Sequence, residues 1–123
     1  VTNGSDATDN PTVAYAAAPG ITSEIGWVIR HSIPRSSGTE YEREFLLRKA
    51  AAFDRMALAE AARCAPQAAA PTIESAVEAA RQLMDHDVAH CGLSLRGAEI
   101  ATADDCRAYV RREYHAWNRT QPL

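Results

Sequence analysis

Residues 39–91, TEYEREFLLRKAAAFDRMALAEAARCAPQAAAPTIESAVEAARQLMDHDVAHC, decide the fold. Phe45, Leu46, Ala50, Phe53, Met56, Ala57 and Ala61 recur at helical spacing and predict one apolar face of a helix running from Thr39 to about residue 64. Thr39 and Glu42 fit a capping box at its start, the hydroxyl satisfying a free amide while the carboxylate reaches back. Glu44 and Arg48 pair at i and i+4 on the polar side. Pro66 and Pro71 bracket a connector predicted over 65–71. A second helix is expected from near Thr72 to Cys91, with Ile73, Val77, Ala80, Met84 and Val88 on its buried side and Gly92 past its end. So short a link turns the second helix back antiparallel on the first.

Outward from this pair, residues 92–101 read as a loop with two glycines. Thr102-Ala103-Asp104-Asp105 then starts a third helix, its acids in the first turn where the dipole favours them. Cys106, Val110, Tyr114 and Trp117 form its apolar stripe. On the other side, Ile21, Ile25, Val28, Ile29 and Ile33 recur at near-helical spacing around Trp27. Gly26 and the β-branched pair Val28-Ile29 keep a short strand open as the competing reading. Residues 1–20 are rich in Thr, Asn, Asp, Gly and Ala without an apolar period, and predict a flexible tail. The expected fold class is all-α: an antiparallel helical hairpin plus a third C-terminal helix, with a disordered N-terminal tail over 1–20 and a single small helical domain over 21–123.

The chain has 123 residues, room for one domain. Alanine occupies 25 positions and aromatics only 7%, so helices can approach closely while each buries little area. A lone three-helix unit of this make-up is marginal. A homodimer with a four-helix core is the expected remedy, and packing of 21–33 onto the hairpin of its own chain is the alternative. A net charge of −3 argues against a surface built for nucleic acid or anionic lipid. No apolar run approaches the ~18 residues of a membrane span. Three cysteines, Cys64, Cys91 and Cys106, are odd in number and widely spaced, and the first six residues have neither the basic start nor the apolar run of a signal peptide. Both points lead to the expectation of a reducing cytoplasm, with the cysteines as small buried hydrophobes. Arginine over lysine, 12 to 1, together with the alanines, suits a GC-rich bacterial genome.

Chemistry is concentrated in His86-Asp87-Val88-Ala89-His90. Histidines at i and i+4 share a helical face and can converge on zinc or nickel, and the spacing resembles the HExxH of zinc metalloproteases. Aspartate stands where that motif has its glutamate base. Trp27 and His31 followed by His86 and His90 resemble in outline the DinB-like family of bacterial four-helix metal proteins, which implies a metal set of His31, His86 and His90. The chain lacks the leading helix that such a fold places before His31. Set against these is the plainer reading, imidazoles on an exposed helix end where the dipole suits them. Arg107, Arg111 and His115 at i, i+4 and i+8, with Arg112, make a basic edge on the third helix that can meet an acidic partner or phosphate. Asp104, Asp105 and Glu113 dilute it.

The residues favour a small cytoplasmic helical accessory or regulatory protein. It would act by contact with an unidentified protein partner, without catalysis and without a cofactor, through Trp27, Ile25, Ile29, Arg107, Arg111 and Arg112. The alternative is a metal-binding helical-bundle enzyme using His86 and His90. A weak nucleic-acid binder working through the C-terminal helix ranks third.

Overall fold

The computed structural model describes residues 9–32 and 39–121. They are all-α, with no strand among the described residues. Six helices follow in order: α1 (Pro11–Ala14), α2 (Ile21–Arg30), α3 (Thr39–Arg63), α4 (Pro66–His90), α5 (Leu95–Ile100) and α6 (Ala103–Asn118). None is long and apolar enough to cross a membrane.

Helices α3 and α4 are joined only by Cys64 and Ala65. Their cross-contacts give the relative direction: Arg43 bonds Asp87, Lys49 bonds Gln82, and Thr72 bonds Glu60, so α4 runs antiparallel to α3. The second helix begins six residues before the expected Thr72. Pro66 sits at the first helical position, where its fixed φ suits the helix, and the alanines at 68–70 are the strongest helix formers available. Pro71 removes one backbone bond near the helix start, at a position exposed to water. At the far end, Gly92 takes φ +80°, a conformation costly for any residue with a Cβ, and the Leu93 amide returns to the Asp87 carbonyl at 3.2 Å.

The buried faces agree with those expected at Ala50, Ala57, Ala80 and Met84 and differ at the other positions. Leu47, Ala50, Ala51 and Ala57 of α3 and Ala76, Ala79, Ala80, Leu83 and Met84 of α4 are buried, while Phe45, Phe53, Met56, Ile73 and Val77 are half-buried. Close helix approach favours small side chains on the contact line, where alanines are interspersed with Leu47, Leu83 and Met84, and the two phenylalanines lie along its edges. Helix α6 lies across α3 and α4 and buries Cys106, Val110 and Tyr114. Its start carries the full reciprocal cap, Thr102 Oγ1 accepting from the Asp105 amide and Asp105 accepting from the Thr102 amide, both at 3.0 Å.

Residues 21–30 follow their helical spacing and form a helix packed on α3, which removes the competing strand. Three expectations need correction. The segment 92–101 holds α5, capped by Ser94, whose hydroxyl accepts from the Gly97 amide. Residues 9–18 are not a free tail: α1 packs on α6, Ala14 is buried and Tyr15 reaches Asp54. Cys64 and Cys91 are exposed, and only Cys106 is buried. The side chains of residues 39–41, and with them the capping box, and the residues before Asp9 lie outside what the structure describes. Helices α2 and α6 contact α3, and Leu47, Ala50 and Leu83 are fully buried within the chain.

Candidate functional site

Two acids fall in register with the buried stripes of α3 and α4, and a third is buried alone on α2. Asp54 follows Leu47, Ala50 and Ala51; Asp87 follows Ala76, Ala80 and Leu83; and Glu24 is the one buried residue of α2. A buried carboxylate must be paired and hydrogen-bonded. Each of these accepts from an arginine and from a tyrosine hydroxyl.

Asp54, 1% exposed, has the densest shell. Arg107 Nε donates to Oδ1 at 2.6 Å; Arg111 clasps both oxygens, Nε to Oδ2 at 2.8 Å and Nη2 to Oδ1 at 3.0 Å; the Tyr15 hydroxyl donates to Oδ2 at 2.7 Å. Arg55 stands nearby with its guanidinium 5.6 Å from the centre of the Tyr15 ring. Asp9 adds to the outer edge of this shell, accepting from Arg112 Nη1 at 2.9 Å. Helices α1, α3 and α6 are thereby tied at one point.

Glu24 accepts from Arg48 Nε and Nη2 at 2.8 and 2.7 Å and from the Tyr114 hydroxyl. The Arg48 guanidinium lies between the two indoles, 3.8 Å from the Trp27 ring centre and 5.2 Å from that of Trp117. Asp87 accepts from Arg43 Nε and Nη2 at 2.7 and 2.8 Å and from the Tyr109 hydroxyl, and Arg43 also holds Glu113 at 2.8 Å.

This arrangement holds protons in place rather than moving them. Burial, reinforced by the neighbouring carboxylate, pushes Tyr15, Tyr109 and Tyr114 far above the ordinary phenol range, so all three are permanent donors. Burial opposes ionisation of Asp87, but the hydrogen bonds from Arg43 and Tyr109 outweigh it and hold the carboxyl at about 2. That lies below the ~3.9 of an unfolded aspartate. The stabilisation from Asp87 is therefore complete above about pH 4 and is lost as pH falls toward about 2. Urea melts at stepped pH should show a shallower loss of stability between pH 4 and 2 in Asp87→Asn than in the wild type; equal slopes would contradict the assignment.

The sequence-nominated residues are distributed unevenly over this frame. Arg107 and Arg111 do not form a solvated basic edge: both turn inward to Asp54 and are largely buried. Arg112 is half-exposed and engaged with Asp9. Sequence periodicity places these arginines on one side of α6 but is silent on the carboxylate opposite. Trp27 is half-buried under Arg48. Ile25 is half-buried and Ile29 is 64% exposed.

The histidines separate. His31 stacks on Trp27, ring centres 4.0 Å apart, with Nδ1 2.7 Å from the Trp27 carbonyl oxygen. His86 and His90 are neighbours, ring centres 4.7 Å apart. Among the described residues, the donor group whose ligand atoms lie within 4.8 Å of one another is His86, Asp87 and Cys91, which omits both His31 and His90. Local desolvation and the adjacent Asp87 raise the Cys91 thiol above its ordinary range, although the residue is exposed.

No protein-family model matches the chain, no curated protein matches it, and no solved structure does. Asp54, Glu24 and Tyr15 escaped the sequence reading, while Asp87 was read only within the histidine motif and Tyr114 only as part of an apolar stripe. The available signal was an acid recurring in phase with alanines and leucines on α3 and α4; α2 offers no such pattern around Glu24.

Proposed function

We propose that the chain acts by contact with another protein, without catalysis of its own. Carrying this reading is the isoleucine stripe of α2. Ile21, Ile25 and Ile29 stand at i, i+4 and i+8 on one side of the helix. Ile21 and Ile25 line a groove of about 680 Å³ with Phe53, Met56 and Pro71, and Ile29 continues the stripe into solvent. Arg55, Arg63 and Glu60 also border the groove, and Arg30 closes the last turn of α2. An apolar floor and a mixed rim with a basic excess suit an amphipathic partner helix that carries carboxylates beside its apolar face.

The basic residues of α6 leave this reading, because Arg107 and Arg111 serve Asp54 and Arg112 serves Asp9. Nucleic-acid binding through α6 loses support for the same reason. Catalysis is disfavoured by chemistry: the buried carboxylates are matched by fixed cations and by phenols that do not titrate near neutrality. A cytoplasmic setting accompanies the proposal, and a homodimer is the special case in which the partner is a second copy.

A photo-crosslinking residue placed at Ile29 in the producing cell tests the reading. It should give one discrete adduct that maps to an acidic, amphipathic segment. The same residue at Ile100, 70% exposed on α5, is the control and should give none. Ile29→Glu should abolish partner binding with an unchanged melting temperature. Equal, diffuse adducts from both positions would sink the proposal, and an adduct of twice the chain mass would identify the partner as a second copy.

A further inference from the structure

His86 presents an unusual ring. The residue is 8% exposed, yet its Nε2 has no hydrogen-bond partner. A buried polar atom left in this way costs free energy unless something else engages it. Its other nitrogen, Nδ1, lies 3.4 Å from Asp87 Oδ1. The carboxylate, held by Arg43, can only accept, so Nδ1 carries the proton and Nε2 is the atom that offers a lone pair.

From the geometry we infer that His86 Nε2, Glu42 Oε1 and the His90 imidazole form a site for a zinc-class divalent cation, bridging the first turn of α3 and the last turn of α4. Glu42 Oε1 stands 3.6 Å from Nε2, outside hydrogen-bond range. Two donors about 2.0–2.1 Å from a tetrahedral zinc ion lie about 3.4 Å apart, so this gap is close to ligand spacing. His90 follows His86 by four residues, its ring centre 4.7 Å away, and it is exposed and able to turn. Asp87 takes the outer role common for metal-bound histidine, orienting the ring through Nδ1–H. The negative end of the α4 dipole adds to the attraction for a cation. The positive charge of Arg43, which holds Asp87, is balanced by Asp87 and Glu113.

The competing donor set, His86 with Asp87 and Cys91, would need Asp87 as a direct ligand. Both of its oxygens already accept from Arg43, and one also from Tyr109. A cation there would have to displace a clasped guanidinium.

Zinc and cobalt(II) titrated into the full chain near neutral pH separate these possibilities. Calorimetry should give one zinc per chain, and zinc should raise the melting temperature. Cobalt should give visible bands of a low-coordinate site without the near-ultraviolet thiolate band. Glu42 is 60% exposed and His90 is exposed, so their variants should fold. Glu42→Gln and His90→Ala should each weaken zinc at least about tenfold, while Cys91→Ser should leave it within about twofold. No saturable uptake overturns the inference. So does a thiolate band, or a loss of binding in Cys91→Ser that His90→Ala does not share.

Discussion

Asp54→Asn should lower global stability by about 3–5 kcal/mol, because it leaves buried guanidinium groups facing one another without a compensating charge. Arg107 and Arg111 both donate to Asp54 from largely buried positions, so one carboxylate already answers two cations. Asparagine fits the space but carries no charge and offers a single acceptor oxygen, which ends the two-pronged clasp by Arg111. The Tyr15 hydroxyl loses its acceptor as well, and with it the link that fastens the segment after α1. Small domains hold about 5–15 kcal/mol in all, so this one change removes a large part of it. For a chain of this size the melting temperature should fall by about 10–20 °C, followed by circular dichroism. A fall under about 4 °C would show that the cluster does not hold the helices together. Asp54→Leu combined with Arg107→Met and Arg111→Met should recover much of the loss, since exchanging a whole buried ionic cluster for apolar volume is often neutral.

Glu24→Ala should act locally rather than globally. Glu24 is the only buried side chain on α2, so the helix is anchored by a charge and not by apolar mass. Alanine leaves the Tyr114 hydroxyl without its acceptor and Arg48 with Glu44 alone, at 3.1 Å. A loss of about 3 kcal/mol in the docking of α2 corresponds to roughly a hundredfold faster amide exchange across that helix. Trp27 should move into water as Arg48 lets go, giving a red shift in tryptophan emission. Exchange in α4 should change far less, because the contact between α3 and α4 does not involve Glu24. Unchanged exchange over 21–30 would mean that Trp27 and its isoleucines hold the helix by themselves. The two substitutions thus separate a global tie, Asp54, from a local latch, Glu24.

Where a local rule was strong, the sequence was legible. Thr102 and Asp105 mark the start of α6 because a reciprocal cap depends on neighbours three residues apart. Gly92 marks the end of α4 because positive φ excludes a Cβ at low cost. The helical character of 39–63 follows from its apolar period and its composition of strong helix formers. Boundaries were harder. Prolines at 66 and 71 read as a connector, although the first turn of a helix tolerates the one and exposure to water the other.

Amino-acid order alone therefore determined that this chain is helical, where its last helix begins, and that His86 and His90 share a face. Tertiary structure decided the rest. Which side of α3 is buried depends on how closely α4 can approach, and that distance admits alanine in preference to phenylalanine. The role of an arginine on α6 depends on an aspartate 53 or 57 residues earlier, on another helix. Periodicity assigns a side chain to a face; only packing supplies the opposite charge, because Coulomb attraction and desolvation depend on distance in space and not along the chain.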